Sequence, residues 1–450
     1  MLIFVSTSRL SHLIDMARDT TVSGIDVGTS KITTLIAAVG EEDDVRVIGV
    51  STVPSRGLRK GQVVNIDEAT QAISQSLESA ERMAGASVGR AFVSVGGSHI
   101  ASLNSHGVVA VAEPDKEISE NDVKRVIEAA KAISLPSSRE ILHVLPRGYI
   151  VDSQEGIIDP IGMTGVRLEV DTHLVTGGAT AVRNLRKCVE ELGVEVGGMV
   201  FGGLASAAAT LSDTEKELGV VLIDIGGGTT DVAIFIEGAL SYSSVIPIGA
   251  INITKDLAAG LRISLESAEK IKLMLGQAQK LPALADEEEV ASRTTPKTEK
   301  SDELDVSGLG LAEELRTVSK KTLIEGIIKP RLNEIFTMVG LEIKRSGFGG
   351  MTPSGVVITG GGALTVGAVE SARRSLAMSV HIGSPRKISG LIDEITTSPF
   401  AASCGLLLYG RKLGKLEQGS FFGGFGKIGE RVQIKGVAGK LIDLVKSFLP

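Results

Sequence analysis

Two short stretches of this chain share one plan. GIDVGTSK at residues 24–31 and IDIGGGTTD at 223–231 each end an apolar strand on an aspartate, turn on glycines and hydroxyls, and enter a second apolar strand. Val220 to Ile223 and Val232 to Ile236 read as buried strands, and Ile32 to Val39 follows the first turn in the same way. Such a turn leaves backbone N–H groups bare, and only glycine lets a bulky anion approach them closely. Both turns lead into strands, whereas the glycine turn of a P-loop or dinucleotide fingerprint opens a helix. A third stretch, GVVITGGGALT at 355–365, runs from a buried strand through Gly360, Gly361 and Gly362 toward a helix over VGAVESARRSLA. That geometry aims helix-start N–H groups at a ligand. Standing alone, IDIGGGTTD would read more readily as a Gly-rich hairpin with capping Asp and Thr. Three such stretches in this order, the first two about 200 residues apart, predict two similar α/β halves closing on one nucleotide.

Composition narrows the classes. At 450 residues the chain exceeds what one core supports. Aromatic residues make up 3% with no Trp, and the net charge is -7, so base stacking and phosphate-backbone binding are both disfavoured and no nucleic-acid partner is expected. Cys188 and Cys404 lack metal spacing and read as free, buried thiols. No uninterrupted apolar stretch approaches the roughly 20 residues needed to cross a bilayer.

Along the chain, residues 1–21 read as a disordered extension, with Met16 just ahead of the first strand. Residues 22–89 and 173–211 form the first half, including a helix from Ile66 to Ala84. Residues 90–172 keep their own rhythm: strands at 91–95 and 107–112, a helix from Ser119 to Ile133, and strands at 141–151 and 166–175. This is a β–β–α–β–β subdomain inserted into the first half. Residues 212–410 form the second half, with two amphipathic helices over ITKDLAAGLRISLESAEKIKLMLGQA, a mobile loop at 281–308, and a long helix from Ala312 to Lys344. Gly-rich 411–436 reads as a flexible linker.

Residues 437–450 close the chain as an amphipathic helix. On a wheel, Val437, Ala438, Leu441, Ile442, Leu444, Val445, Phe448 and Leu449 fill an arc of roughly 160°, opposite Lys440, Asp443, Lys446 and Ser447. From Arg411 onward eight Lys/Arg face three Asp/Glu, so this end carries +5 and the remainder -12 (-7 minus 5). A basic amphipathic end behind a Gly-rich linker suits a peripheral anchor on anionic lipid through Lys440, Leu441, Leu444, Val445, Lys446, Phe448 and Leu449. The competing reading is a helix docked on its own core.

The order of hairpin, hairpin and strand-to-helix turn resembles the actin–Hsp70–sugar kinase superfamily, with its two phosphate loops and its adenosine loop. Within it, SRGLRKGQVVNI, HVLPRGYIVDSQEGIIDPIGMTGVRLEV, GLASAAATLSDTEKELG and the C-terminal end resemble the FtsA family of bacterial cell-division proteins. The PilM family of pilus-assembly proteins, which shares the inserted subdomain, is the alternative. A sugar or acetate kinase would need an acceptor pocket with a catalytic Asp.

The resemblance implies an actin-like (ribonuclease H-like) two-lobed fold with MgATP between the lobes. Asp26 and Asp224 then face the phosphates from opposite sides, holding Mg²⁺ through water and standing as the catalytic candidates. Gly28, Thr29 and Ser30 contact one phosphate face; Gly226, Gly227, Gly228 and Thr229 contact the other, with Asp231 beside them. Lys31 adds charge there, or is merely solvated. Glu269 and Lys272, spaced i, i+3, match positions that reach the ribose, although an exposed helical ion pair fits that spacing equally. Gly360, Gly361 and Gly362 belong to the adenosine loop. Where actin carries a Gln ahead of its second phosphate loop, Gly202 and Gly203 offer no side chain, which makes hydrolysis slow at most and the chain an ATP-binding scaffold before an enzyme. The implied partners are the C-terminal peptide of the tubulin-like protein FtsZ, met by Arg331 and Glu334 with Asn333 as neighbour, further copies of the chain in a filament, and later division proteins. The implied place is the cytoplasmic face of the cell membrane at the division site.

Overall fold

The computed structural model describes residues 20–40, 44–112, 117–278, 302–390 and 393–422. Two sheets of matching construction organise them. In the first, a meander of Thr20–Val27, Lys31–Val39 and Val45–Pro54 is extended by Arg90–Val95 and Glu195–Phe201, with Ser389–Gly390 on the far edge. In the second, a meander of Val220–Ile225, Thr230–Ile236 and Ala239–Ile246 is extended by Val356–Thr359 and Val380–Ile382. Both meanders are antiparallel and the strands added beyond their first members are parallel. The five-strand order is therefore the same in both, and the two similar halves expected from the repeated turns are present.

The central strands explain their own composition. Val220, Val221, Leu222, Ile223 and Ile225 are all at 0% exposure. Val220 and Leu222 join the core shared with the first half, while Val221, Ile223 and Ile225 join the core under helices Ala250–Leu261 and Lys329–Ser346. A strand covered on both faces reads as a continuous apolar run. Helix Ile66–Ala84 falls where its spacing predicts. Asn65 caps it by accepting the Glu68 N–H at 3.3 Å, and Gly85 ends it in the left-handed region at φ 66.

The insertion is a separate four-stranded sheet, Ala101–Ala110, Arg167–Gly178, Arg139–Val151 and Gln154–Ile157, covered by helix Glu120–Lys131. Ser119 and Asp122 form a capping box at that helix start. Arg90–Val95, read from sequence as the insertion's first strand, lies instead in the first large sheet, because Gly24 and Ile25 pair with Phe92 and Val93. The insertion also reaches the second half through a polar seam. Ser102 Oγ donates to Ser243 O at 2.7 Å and accepts the Ser243 N–H at 3.2 Å, Arg147 Nε donates to Ser241 Oγ at 3.0 Å, and His173 Nε2 lies 2.8 Å from Ser243 Oγ.

Other expectations are corrected. Thr20 and Thr21, assigned to the extension, begin the first strand opposite Val39 and Ala38. The mobile loop assigned to 281–308 ends in structure: Glu303–Asp305 pairs with Thr317–Ser319, and Ser307–Leu309 forms a 3-10 turn. That strand pair also breaks the helix expected from Ala312, which starts as a π-helix over Thr322–Ile328 and becomes α-helical at Lys329–Ser346. The linker expected from 411 is helical at its start, within helix Ala401–Phe422. No helix of the described residues is long and apolar enough to cross a membrane. The terminal helix of 437–450, with Lys440, Leu441, Leu444, Val445, Lys446, Phe448 and Leu449, lies outside the described residues.

Candidate functional site

The two aspartate turns face each other between the halves, and each is closed in the same way. Gly28 N–H donates to Lys31 O at 3.1 Å, and Gly226 N–H donates to Thr229 O at 2.9 Å. The first turn is further held by Gly61, whose N–H donates to Thr29 Oγ1 at 2.9 Å. The second is backed by helix Ala250–Leu261, whose Ala250 and Ile251 N–H groups donate to Gly226 O and Gly227 O, both at 2.9 Å. The turns nearly touch. A Cβ on Gly227 would stand 2.7 Å from Ser30 Oγ, and one on Gly228 2.8 Å from Thr29 Oγ1. The opposite turn alone thus leaves room for little more than glycine at these positions.

Each aspartate is set by a serine from another element. Ser94 Oγ, at the end of Arg90–Val95, donates to Asp26 Oδ1 at 2.7 Å while accepting the Val27 N–H at 2.9 Å. Ser206 Oγ, on helix Gly202–Thr210, donates to Asp224 Oδ2. A Cβ on Gly360 (φ +81) would overlap Asp224 Oδ1, so the third glycine stretch presses on the same carboxylate. Burial raises the carboxyl of Asp26, against the Ser94 bond, and raises that of Asp224 to about 6. Asp231 is pushed well above its usual range by burial and then by the charges of Asp224 and Asp26. Burial lowers the Lys31 ammonium, with Asp26 and Asp224 pulling it back up, and its Nζ sits 4.2 Å from the Phe400 ring centroid.

One cavity of about 120 Å³ is lined by Asp26, Gly28, Thr29, Ser30, Lys31, Asp224, Gly226, Gly227, Thr229, Asp231, Gly360 and Gly361. With Asp231 pushed toward its protonated form, Asp26 and Asp224 are left to offer carboxylate oxygens to a cation beside the Lys31 ammonium. Among the described residues no group of three or more His, Cys, Asp or Glu is placed to ligate a metal. Two carboxyls from facing turns fit Mg²⁺ that keeps most of its water, because that ion needs few protein ligands.

Not every expected residue reaches this cavity. Gly228 and Gly362 stand outside its lining, and a Cβ on Gly362 would run into Ile225. The glycine stretch leads into a 3-10 turn, Gly361–Leu364, and the helix starts only at Ala368–Leu376. Glu269 and Lys272 do pair, at 2.7 Å, and the ammonium also donates to Thr254 Oγ1 at 2.9 Å. Lys272 is buried, so this is no exposed surface pair. Both stand outside the cavity lining, linked to it through the helix that backs the second turn. Conversely, Ser94, Ser206, Ser398 and Pro399 were not singled out from sequence. Each belongs to an element distant along the chain, and only the Ser-Pro pair carries a local turn signal.

Arg331 is already engaged. Its Nε and Nη2 donate to Asp256 at 2.6 and 2.9 Å, and Nη1 donates to Glu334. Asn333 beside them is exposed. Pro330 stands in the first turn of its helix, as expected.

Comparison with known proteins accounts for this architecture. A family model described as "SHS2 domain inserted in FTSA" matches residues 97–176, and one described as "Cell division protein FtsA" matches 221–405. The chain is 41% identical to cell division protein FtsA of Pseudomonas aeruginosa over 86% of its own length and 89% of that protein. It is 40% identical to FtsA of Bacillus subtilis (81% and 78%) and 33% to that of Escherichia coli strain K12 (87% and 90%). Among solved structures, the PilM–PilN type IV pilus biogenesis complex aligns at TM-score 0.58 with 15% identity, covering 87% of this chain and 98% of that one. MreB 5 of Spiroplasma citri bound to AMPPNP aligns at 0.50 with 13% identity (89% and 98%). Those two likenesses are of fold, which is actin-like with the inserted subdomain. The matched family models and the identity sustained along most of the chain show that it belongs to the FtsA family of cell-division proteins.

Proposed function

We propose that this chain is an ATP-binding, actin-like scaffold of cell division that ties the C-terminal peptide of FtsZ to the cytoplasmic face of the membrane, assembles with further copies of itself, and recruits later division proteins. The observation that carries the reading is the facing pair of turns, each closed by the same bond and each presenting a buried aspartate to one cavity. Gly28, Thr29 and Ser30 receive the phosphates from one side, and Gly226, Gly227, Gly228 and Thr229 from the other. Mg²⁺, when bound, neutralises phosphate charge, and Asp26 and Asp224 hold its water. Gly360 and Gly361 take the adenosine side. The pair Glu269–Lys272 supports helix Ala250–Leu261 behind the second turn and turns toward the ribose.

Turnover is expected to be slow. Gly202 and Gly203 present no side chain to orient an attacking water, and the space a Cβ on Gly202 would take lies 2.7 Å from Asp231 Oδ2. The membrane role rests on the basic amphipathic segment 437–450, and the FtsZ site on Arg331, Asn333 and Glu334. Isothermal titration of MgATP tests the central element. Binding with little hydrolysis over the same period is the expected result, and a chain that takes up no ATP would overturn the reading.

A further inference from the structure

Ser398 opens a three-residue turn, Ser398–Phe400, immediately ahead of helix Ala401–Phe422. It lies in the wall of the same cavity, at 1% exposure, and its hydroxyl has no hydrogen-bond partner among the described residues. Its main chain is well accounted for. The carbonyl accepts the Gly360 N–H at 3.2 Å and the Thr359 hydroxyl at 3.4 Å, which pins the turn to the third glycine stretch. Two residues on, the Phe400 ring lies under the Lys31 ammonium and fixes the turn to the first hairpin. The backbone is thus held on two sides while one buried hydroxyl is left unmatched. Such a group is rare in a folded protein and calls for a specific reason.

The surrounding chemistry narrows what that hydroxyl meets. The side-chain donors to Asp26 and Asp224 are Ser94 and Ser206, and the Ser398 hydroxyl bonds to neither aspartate. Lys31 is a donor and offers no lone pair. A phosphoryl oxygen placed in the cavity would supply the acceptor that the Ser398 hydroxyl does not find in the protein. We propose that the Ser398 hydroxyl is a further phosphate contact, donating to a phosphoryl oxygen of the bound nucleotide. This rests on the nucleotide reading above and adds to it an element that none of the three glycine stretches contains.

The test compares wild type with Ser398→Ala and Ser398→Thr in the full chain, titrating MgATP and adenosine and following melting without ligand. Removing an unpaired hydroxyl leaves the ligand-free melting temperature unchanged or slightly higher, because no bond is lost. ATP affinity falls about five- to tenfold, adenosine affinity stays level, and Thr restores most of the loss. Equal ATP affinity in wild type and Ser398→Ala overturns the proposal. So does an equal loss for ATP and adenosine, or a lower ligand-free melting temperature with undiminished affinity, since each marks a packing role. A wild type that binds no ATP would remove the nucleotide reading itself, and this contact with it.

Discussion

Burial lifts the Asp224 carboxyl to about 6 even though Ser206 donates to it. The raised value means that the folded protein holds this proton more tightly than the unfolded chain. The Asp224 contribution to stability therefore falls as pH rises from about 4 to about 6 and stays low above that, by about 3 kcal/mol at most. Asp224→Asn should raise the melting temperature of the ligand-free protein at pH 7.5 and remove Mg²⁺-dependent nucleotide binding. A variant that melts lower, or that still responds to Mg²⁺, would contradict the assignment. His143 titrates in the opposite sense. Its Nε2 accepts the Phe201 N–H at 2.9 Å, and burial lowers it to about 4. It stabilises the fold fully above pH 6.5 and loses that contribution as pH falls toward 4. His143→Gln, which keeps an acceptor, should flatten the acid limb of the stability curve relative to wild type, measured by denaturant unfolding at pH 4.5, 5.5 and 7. At this scale the sequence disclosed the aspartates, because each is followed at once by its glycine turn. It hid Ser94 and Ser206, because 68 and 18 residues separate them from their partners.

Among elements, the strands of the two large sheets were legible and some helices were not, and glycine is the reason in one case. Helix Ala401–Phe422 carries Gly405, Gly410 and Gly414, a composition that suggested a linker from 411 onward. A Cβ on Gly405 would overlap the Ala205 carbonyl oxygen, and one on Gly410 would stand 2.5 Å from the Phe92 ring. These glycines admit close packing against helix Gly202–Thr210 and strand Arg90–Val95. In an exposed helix, Gly→Ala stabilises by up to about 1 kcal/mol. Gly405→Ala should instead destabilise by about 1–3 kcal/mol, read from urea unfolding, and a gain would show that the contact is dispensable. The helix expected from Ala312 failed for another reason. Thr317–Ser319 is claimed by a strand partner at Glu303–Asp305, a tertiary pairing invisible to local periodicity. At the hairpins, Gly227→Val should place methyl groups against Ser30, where a phosphate must approach, and abolish ATP binding while the chain still unfolds cooperatively. Undiminished affinity in such a variant would count against the cleft. On helix Lys329–Ser346, Arg331→Glu sets a carboxylate against Asp256 and Glu334, so it should lower melting as well as any peptide affinity. Asn333→Ala isolates binding from folding and should weaken only the peptide, as read by fluorescence anisotropy.

For the whole molecule, the two matching sheets were foreseeable because the turn that defines each half occurs twice. Which half owns a given strand was less so: Arg90–Val95 sits beside the insertion in sequence and inside the first sheet in space. The membrane test must respect the same boundary. Leu413 packs beside Phe92, Val200 and Leu406, so a truncation ahead of it would damage the core, whereas a chain ending at Phe422 leaves the described fold whole. The full chain should sediment with anionic vesicles and the shortened one should stay in solution, with ATP affinity equal in both. Phe448→Glu should release the full chain as well, and equal sedimentation of all three would refute the anchor.

The polar seam between the insertion and the second half has a kinetic consequence. The insertion is joined by peptide bonds to the first half, yet it meets the strand Ala239–Ile246 through Ser102, Arg147 and His173. Any rotation that parts the two glycine turns must also strain or break that seam. The amide of Ser243, which donates to Ser102 Oγ, then serves as a clock for the closed state. Its deuterium uptake should slow when nucleotide locks the halves together and quicken when Ser102→Ala removes the acceptor, so that breathing at the cleft is timed at a serine of another strand.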